Sequence, residues 1–172
     1  MPRILTKAVA TLALALGCAT GAPTNPPKEF VQTGEIRMLK NGRAFGASFS
    51  DDRIVGTVID LARTPDGSWR GVLAYGAVDV SVYPNRLAGS GITILREERP
   101  GVVVYTGEDH GRRVRFEISA SGLVVSTPRW AGSLSRTGPG EFGDGMVKLF
   151  GEAASDHPPW PQFALALIGT FR

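Results

Sequence analysis

GAVDVSVYPNRLAGSGITIL (residues 76–95) decides the fold of this chain. Val78, Val80 and Val82 alternate with small or polar neighbours, the period of two expected of a strand with one buried face. Pro84-Asn85 breaks the run with turn-forming residues, and Arg86-Leu87 resumes it. The same alternation stands at Phe45, Ala47 and Phe49, and again at Val114, Phe116 and Ile118. Between such runs lie Asn41-Gly42, Asp51-Asp52, Asp66-Gly67, His110-Gly111 and Ser121-Gly122, residues that accept the positive φ of tight hairpins.

These segments repeat. Moving 33 places along (45 to 78) carries Phe45, Ala47, Phe49, Arg53, Ile54, Gly56 and Thr57 onto Val78, Val80, Val82, Arg86, Leu87, Gly89 and Ser90. A further step of 36 (78 to 114) carries Val78, Val80, Val82, Leu87 and Ser90 onto Val114, Phe116, Ile118, Leu123 and Ser126. Each unit closes on a similar segment: Leu61–Thr64, Ile94–Glu97, Leu134–Thr137. With a linking strand such as Trp69–Tyr75 or Val102–Thr106, the unit reads as about three strands. The fold class is therefore all-β, an antiparallel meander of about nine or ten strands with three internal repeats. A barrel-like closure is favoured because it protects the sheet edges; a β-sandwich or a β-trefoil is the alternative. Near the C-terminus, Phe163, Leu165, Leu167, Gly169 and Phe171 alternate like a strand, yet Phe163, Leu167 and Phe171 also share a helical face. Pro161 ahead of an Ala/Leu-rich run favours a short helix.

The composition fits one domain. Of 172 residues, 42% are hydrophobic, enough for a core, while 22 Gly and 12 Pro indicate many turns. Two of the 19 basic residues, Arg3 and Lys7, precede Cys18, which leaves the rest of the chain one charge above neutral. That balance argues against a general nucleic-acid binder.

The amino terminus carries an address. Arg3 and Lys7 are followed by the apolar run Ala8–Leu16, then Gly17 and Cys18. This is the charged start, short apolar stretch and small residue of a secretory signal. The run is too short to span a bilayer core, which takes about 20 residues. Leu14-Ala15-Leu16-Gly17-Cys18 resembles the lipobox of bacterial lipoprotein precursors, with Ala15 where the strongest examples have Leu. The resemblance implies cleavage before Cys18, a diacylglyceryl group on its thiol and acylation of the new amine. Ala19, where inner-membrane lipoproteins typically have Asp, implies delivery to the outer membrane. The expected organisation is a signal peptide at 1–17, a lipid-anchored flexible tether at 18–34 and one β domain at 35–172.

Candidate sites are few. Cys18 is the expected lipidation site, and as the single cysteine it offers neither an internal disulfide nor a thiol for zinc. His110 sits in a turn sequence. Ser155-Asp156-His157 has the residue types of a hydrolytic triad without a Gly-x-Ser-x-Gly elbow. Gly138-Pro139-Gly140 and Gly143-Asp144-Gly145 lack the Lys-Ser/Thr of a phosphate loop. Arg113 and Arg115 project from the face opposite Val114 and Phe116. With Arg112 they form a small basic patch suited to an anionic envelope lipid or glycan. Trp69, Trp130 and Trp160 read as packing at the core or the barrel ends.

No cofactor or metal is expected. The partners expected are the membrane, through the lipid on Cys18, and an unidentified envelope protein, lipid or glycan. The functional expectation is a non-enzymatic cell-envelope lipoprotein whose β domain binds a partner or supports the envelope. An envelope hydrolase would need His110 or His157 in a concave site beside an acid, and a small-ligand carrier would need an open lumen.

Overall fold

The computed structural model describes residues 30–74 and 76–172. β1 (Gly34–Lys40) leads into three units of four strands each. The first is β2 (Arg43–Phe49), β3 (Arg53–Gly56), β4 (Ile59–Arg63) and β5 (Trp69–Leu73); the second is β6 (Gly76–Tyr83), β7 (Arg86–Gly89), β8 (Ile92–Arg99) and β9 (Val102–Asp109). The third is β10 (Arg112–Ser119), β11 (Gly122–Ser126), β12 (Ala131–Gly138) and β13 (Glu141–Phe142), after which β14 (Val147–Gly151) completes the wall. Every strand pairs antiparallel with its neighbours in sequence, and β1 pairs with β14 from Gly34 opposite Gly151 to Met38 opposite Val147. The sheet is thus a closed barrel, as the alternation and turn chemistry favoured, and closure leaves no room for a sandwich or trefoil.

The strand count is a correction: fourteen rather than nine or ten, and four strands per unit rather than three. The closing segments Ile94–Glu97 and Leu134–Thr137 lie within β8 and β12, and Leu61–Thr64 is the end of β4 with the residue after it; each is followed by a further strand of its unit. In β12 every residue but Leu134 and Gly138 is exposed, so alternation is too weak there to mark a strand.

The repeat extends to individual bonds. The Gly46 N–H donates to Thr57 Oγ1 at 3.3 Å, and 33 residues on the Asp79 N–H donates to Ser90 Oγ at 2.8 Å. The matched Gly56 and Gly89 lie so close to the neighbouring strand that a Cβ would stand 2.3 Å from Gly46 O and 2.2 Å from Asp79 O. Only glycine fits such an approach.

The interior is a helix. α1 (Gln162–Phe171) runs inside the barrel and all ten of its residues are buried. A helix apolar on every side belongs in a core, and this one is surrounded by wall. That also explains the ambiguity of its sequence, because a helix buried all round need not show a single apolar face. Two of its polar groups find partners inside the barrel: the Thr170 hydroxyl donates to Ala166 O at 2.8 Å, and Phe171 O accepts from Thr127 Oγ1 at 3.0 Å.

The helix is not centred. It packs mainly against β1, β2 and β3. On the opposite side aromatic rings bridge the wider gap, Phe163 meeting Tyr105 and Phe171 meeting Phe116 and Trp130 at 5.6–5.9 Å between centroids. Trp69 is wholly buried, while Trp130 and Trp160 pack at opposite ends, Trp160 donating to Tyr83 O at 2.9 Å.

Candidate functional site

Meander topology sorts the loops between two ends. The proximal end holds Thr33, where the chain joins β1, with the turns at Asp51-Asp52, Asp66-Gly67 and Pro84-Asn85 and the start of α1. The distal end holds the turns at Asn41-Gly42, Ser90-Gly91 and His110-Gly111, and the end of α1.

At the distal end, His110 and Gly111 take φ of 53° and 74°, the left-handed pair that makes a two-residue hairpin between β9 and β10. This hairpin and the end of α1 bring three ionisable side chains together. Asp109, at the inward-facing end of β9, is 5% exposed. Arg172, just past α1, brings Nε to 2.9 Å from Asp109 Oδ2. His110 Nδ1 lies 2.8 Å from Asp109 Oδ1 and 3.1 Å from Arg172 Nη2. That nitrogen can serve one neighbour at a time: protonated it donates to Asp109, bare it accepts from Arg172. In the first arrangement the imidazole has a free Nε2, the form of a general base.

Beside this group a cleft of about 390 Å³ opens on the side of the barrel away from the helix's main packing face. Leu73, Val114, Phe116 and Ile168 line it as apolar surface, and Arg112 and Arg129 line it as cations. Neither arginine has a carboxylate partner among the described residues, whereas Arg172 is offset by Asp109. Thr127 carries the one hydroxyl among the described lining residues. It is committed to Trp130 O at 3.1 Å and Phe171 O at 3.0 Å.

Comparison with known proteins adds no relative. The chain matches no protein-family model, no curated protein and no solved structure.

The arginine patch read from the sequence divides between two surfaces. Arg113 and Arg115 lie on the outer wall, Arg113 opposite Glu108 in register and Arg115 within 2.5 Å of Glu117 Oε2. Arg112 lies on the cleft side. Its companions there, Arg129 and Arg172, are brought in by the β11–β12 loop and the end of α1. No local pattern in the sequence points to them. Asp109 had a signal, since it continues the inward parity of Val103 and Tyr105.

His157 lies at the proximal end, 84% exposed, with Nδ1 3.9 Å from Glu98 Oε1. Glu97 and Glu98, both exposed, pair with Arg99 and Arg96. Cys18 lies outside the described residues.

The outer wall carries charge on its strands, including Arg53–Asp60 at 3.2 Å, Arg70–Asp79 at 2.7 Å and Lys148–Glu141 at 3.2 Å. A lipid-facing barrel wall would lose about 2–4 kcal/mol for each Arg or Lys at the bilayer midplane, so this wall suits water. The lumen that a ligand carrier would use is occupied by α1.

Proposed function

We propose that this chain is a non-enzymatic lipoprotein of the cell envelope, cut before Cys18, anchored to the outer membrane by lipid on that residue, and carrying the barrel as a binding module. The lipobox resemblance at Leu14–Cys18 supports the anchor. The observation that carries the binding half is the separation of the barrel's two ends. The chain joins β1 at the proximal end, and the cleft opens at the distal end. A tether ending near residue 34 would therefore leave Arg112, Arg129 and the cleft facing away from the anchoring leaflet. Two acyl signals on one cysteine suffice for stable anchoring, where a single chain binds only reversibly.

The test is the intact mass of the protein extracted from membranes, beside that of Cys18→Ser. A chain beginning at Cys18 with added acyl mass, lost in the variant, is the expected result. A chain retaining residues 1–17, or an unmodified one cut elsewhere, would overturn the anchor.

A second reading is favoured by one observation, the 2.8 Å contact between His110 Nδ1 and buried Asp109 beside a concave surface. This is the arrangement an envelope hydrolase would need in order to activate water. Hydrolysis of a panel of ester and amide substrates, abolished by His110→Ala, would favour it over simple binding. The commitment of Thr127 to backbone carbonyls leaves water as the nucleophile such a hydrolase would use at that site.

A further inference from the structure

We propose that the distal cleft binds an oxyanion, carboxylate or phosphate, carried on a short apolar chain, with Arg112 and Arg129 holding the head and Leu73, Val114, Phe116 and Ile168 receiving the chain. This deepens the binding reading above but does not depend on the lipid anchor.

Charge and surface point the same way. Among the described residues, five ionisable side chains line the cleft: Asp109, His110, Arg112, Arg129 and Arg172. Asp109 is the single carboxylate among the described lining residues, and it is spent on Arg172 and His110 at 2.9 and 2.8 Å. Arg112 and Arg129 therefore face the cleft with uncompensated charge. A guanidinium is suited to bidentate capture of a carboxylate or phosphate. An anion alone would not explain the walls, because Leu73, Val114, Phe116 and Ile168 line the same cleft. An apolar molecule alone would not explain the two cations. The volume of about 390 Å³ falls within the range of roughly 300–1,000 Å³ typical of small-molecule sites. It is too small for a whole membrane lipid, which restricts the occupant to a short chain or to the end of a longer one.

Calorimetric titration decides the matter. The full chain carrying Cys18→Ser would be used, so that no detergent competes for the cleft. Octanoate and octyl phosphate are the probes, octanol supplies the tail without charge, and acetate and inorganic phosphate supply the charge without a tail. Binding of octanoate or octyl phosphate, at least about tenfold tighter than octanol, acetate or inorganic phosphate, is expected. The tighter of the two probes names the head group. The double variant Arg112→Gln with Arg129→Gln should weaken that binding roughly tenfold or more. Both positions are solvent-facing, so its circular dichroism and thermal midpoint should match those of the parent. Failure of both amphiphiles to bind, binding of octanol as tight as theirs, or undiminished binding by a folded double variant would each overturn the proposal. None of these outcomes bears on the mass of the membrane-extracted protein, so the site and the anchor fail separately.

Discussion

Gly169 of α1 meets Ile59 of β4 with no intervening side chain: a Cβ on Gly169 would stand 2.9 Å from Ile59 Cγ2 and 3.1 Å from Ile59 Cβ. The helix sits against this part of the wall because position 169 has no side chain. Gly169→Val should therefore overpack the contact and lower stability by about 1–3 kcal/mol in a denaturant titration. Ile59→Ala has its own cavity cost. In the double variant, however, the two effects should fall short of their sum, with a coupling of at least about 0.5 kcal/mol. Simple additivity would mean that the helix does not touch the wall there.

The Asp109–Arg172 pair yields an asymmetric prediction. The carboxylate side chain is 6% exposed and the guanidinium 24%, so water reaches the cation more readily than the anion. Asp109→Asn leaves a cation that can turn outward, whereas Arg172→Met leaves a buried anion that cannot, with His110 Nδ1 at 2.8 Å as its remaining side-chain partner among the described residues. Arg172→Met should thus cost the more of the two, about 2–3 kcal/mol against about 1–2, discounted from a fully buried pair for the partial exposure of Arg172. Unfolding midpoints of both variants check the order, and equal costs would remove the argument.

How far the sequence carried these conclusions can be judged residue by residue. Alternation at Val78–Val82 and Val114–Ile118, with turns at Asn41-Gly42 and His110-Gly111, was sufficient for an antiparallel meander. Each hydrophobic position of a half-buried strand reports its own environment. The four-strand unit was hidden because β12 presents mostly exposed polar residues and leaves no period to detect. The helical filling of the barrel was not legible either. Burial on all sides of α1 is a property of the closed wall, and no stretch of ten residues can state it. The cleft is legible only in part: Arg112 stands out beside a turn, but Arg129 and Arg172 reach it across 17 and 60 positions of chain (112 to 129, 112 to 172). Such companions come from topology alone.

The turn between β4 and β5 should govern part of the acid sensitivity. The Asp66 carboxylate accepts from the hydroxyl of Thr64, and from the Ser68 hydroxyl at 2.8 Å and Ser68 N–H at 3.2 Å. Thr64 first and Ser68 next hold its pKa down to about 2, against an ordinary 3.8. Since the folded value is the lower one, this contribution is complete above about pH 4 and is lost as pH falls through 2. Asp66→Asn should lower the thermal midpoint at neutral pH, and the gap from the parent should close as pH approaches 2. A gap independent of pH would show that the ionised carboxylate is not what the turn uses.

Tyr105 makes the opposite case. Its ring is wholly buried, stacked on Trp160 with centroids 6.1 Å apart, and its hydroxyl forms no hydrogen bond of ordinary geometry among the described residues. Burial pushes its pKa up to about 12, and the nearby Arg96 guanidinium opposes the shift without cancelling it. A phenol whose folded pKa is raised contributes stability that is complete below the ordinary value of 10.0 and is lost as pH rises toward 12. Tyr105→Phe keeps the rings and removes both the unsatisfied hydroxyl and the ionisation. The variant should be as stable as the parent at neutral pH, or more stable by up to about 1 kcal/mol. It should also lose less stability than the parent between pH 10 and 12. If Tyr105→Phe instead destabilises the barrel at neutral pH by more than about 1 kcal/mol, the hydroxyl makes a bond that the packing around Trp160 does not display.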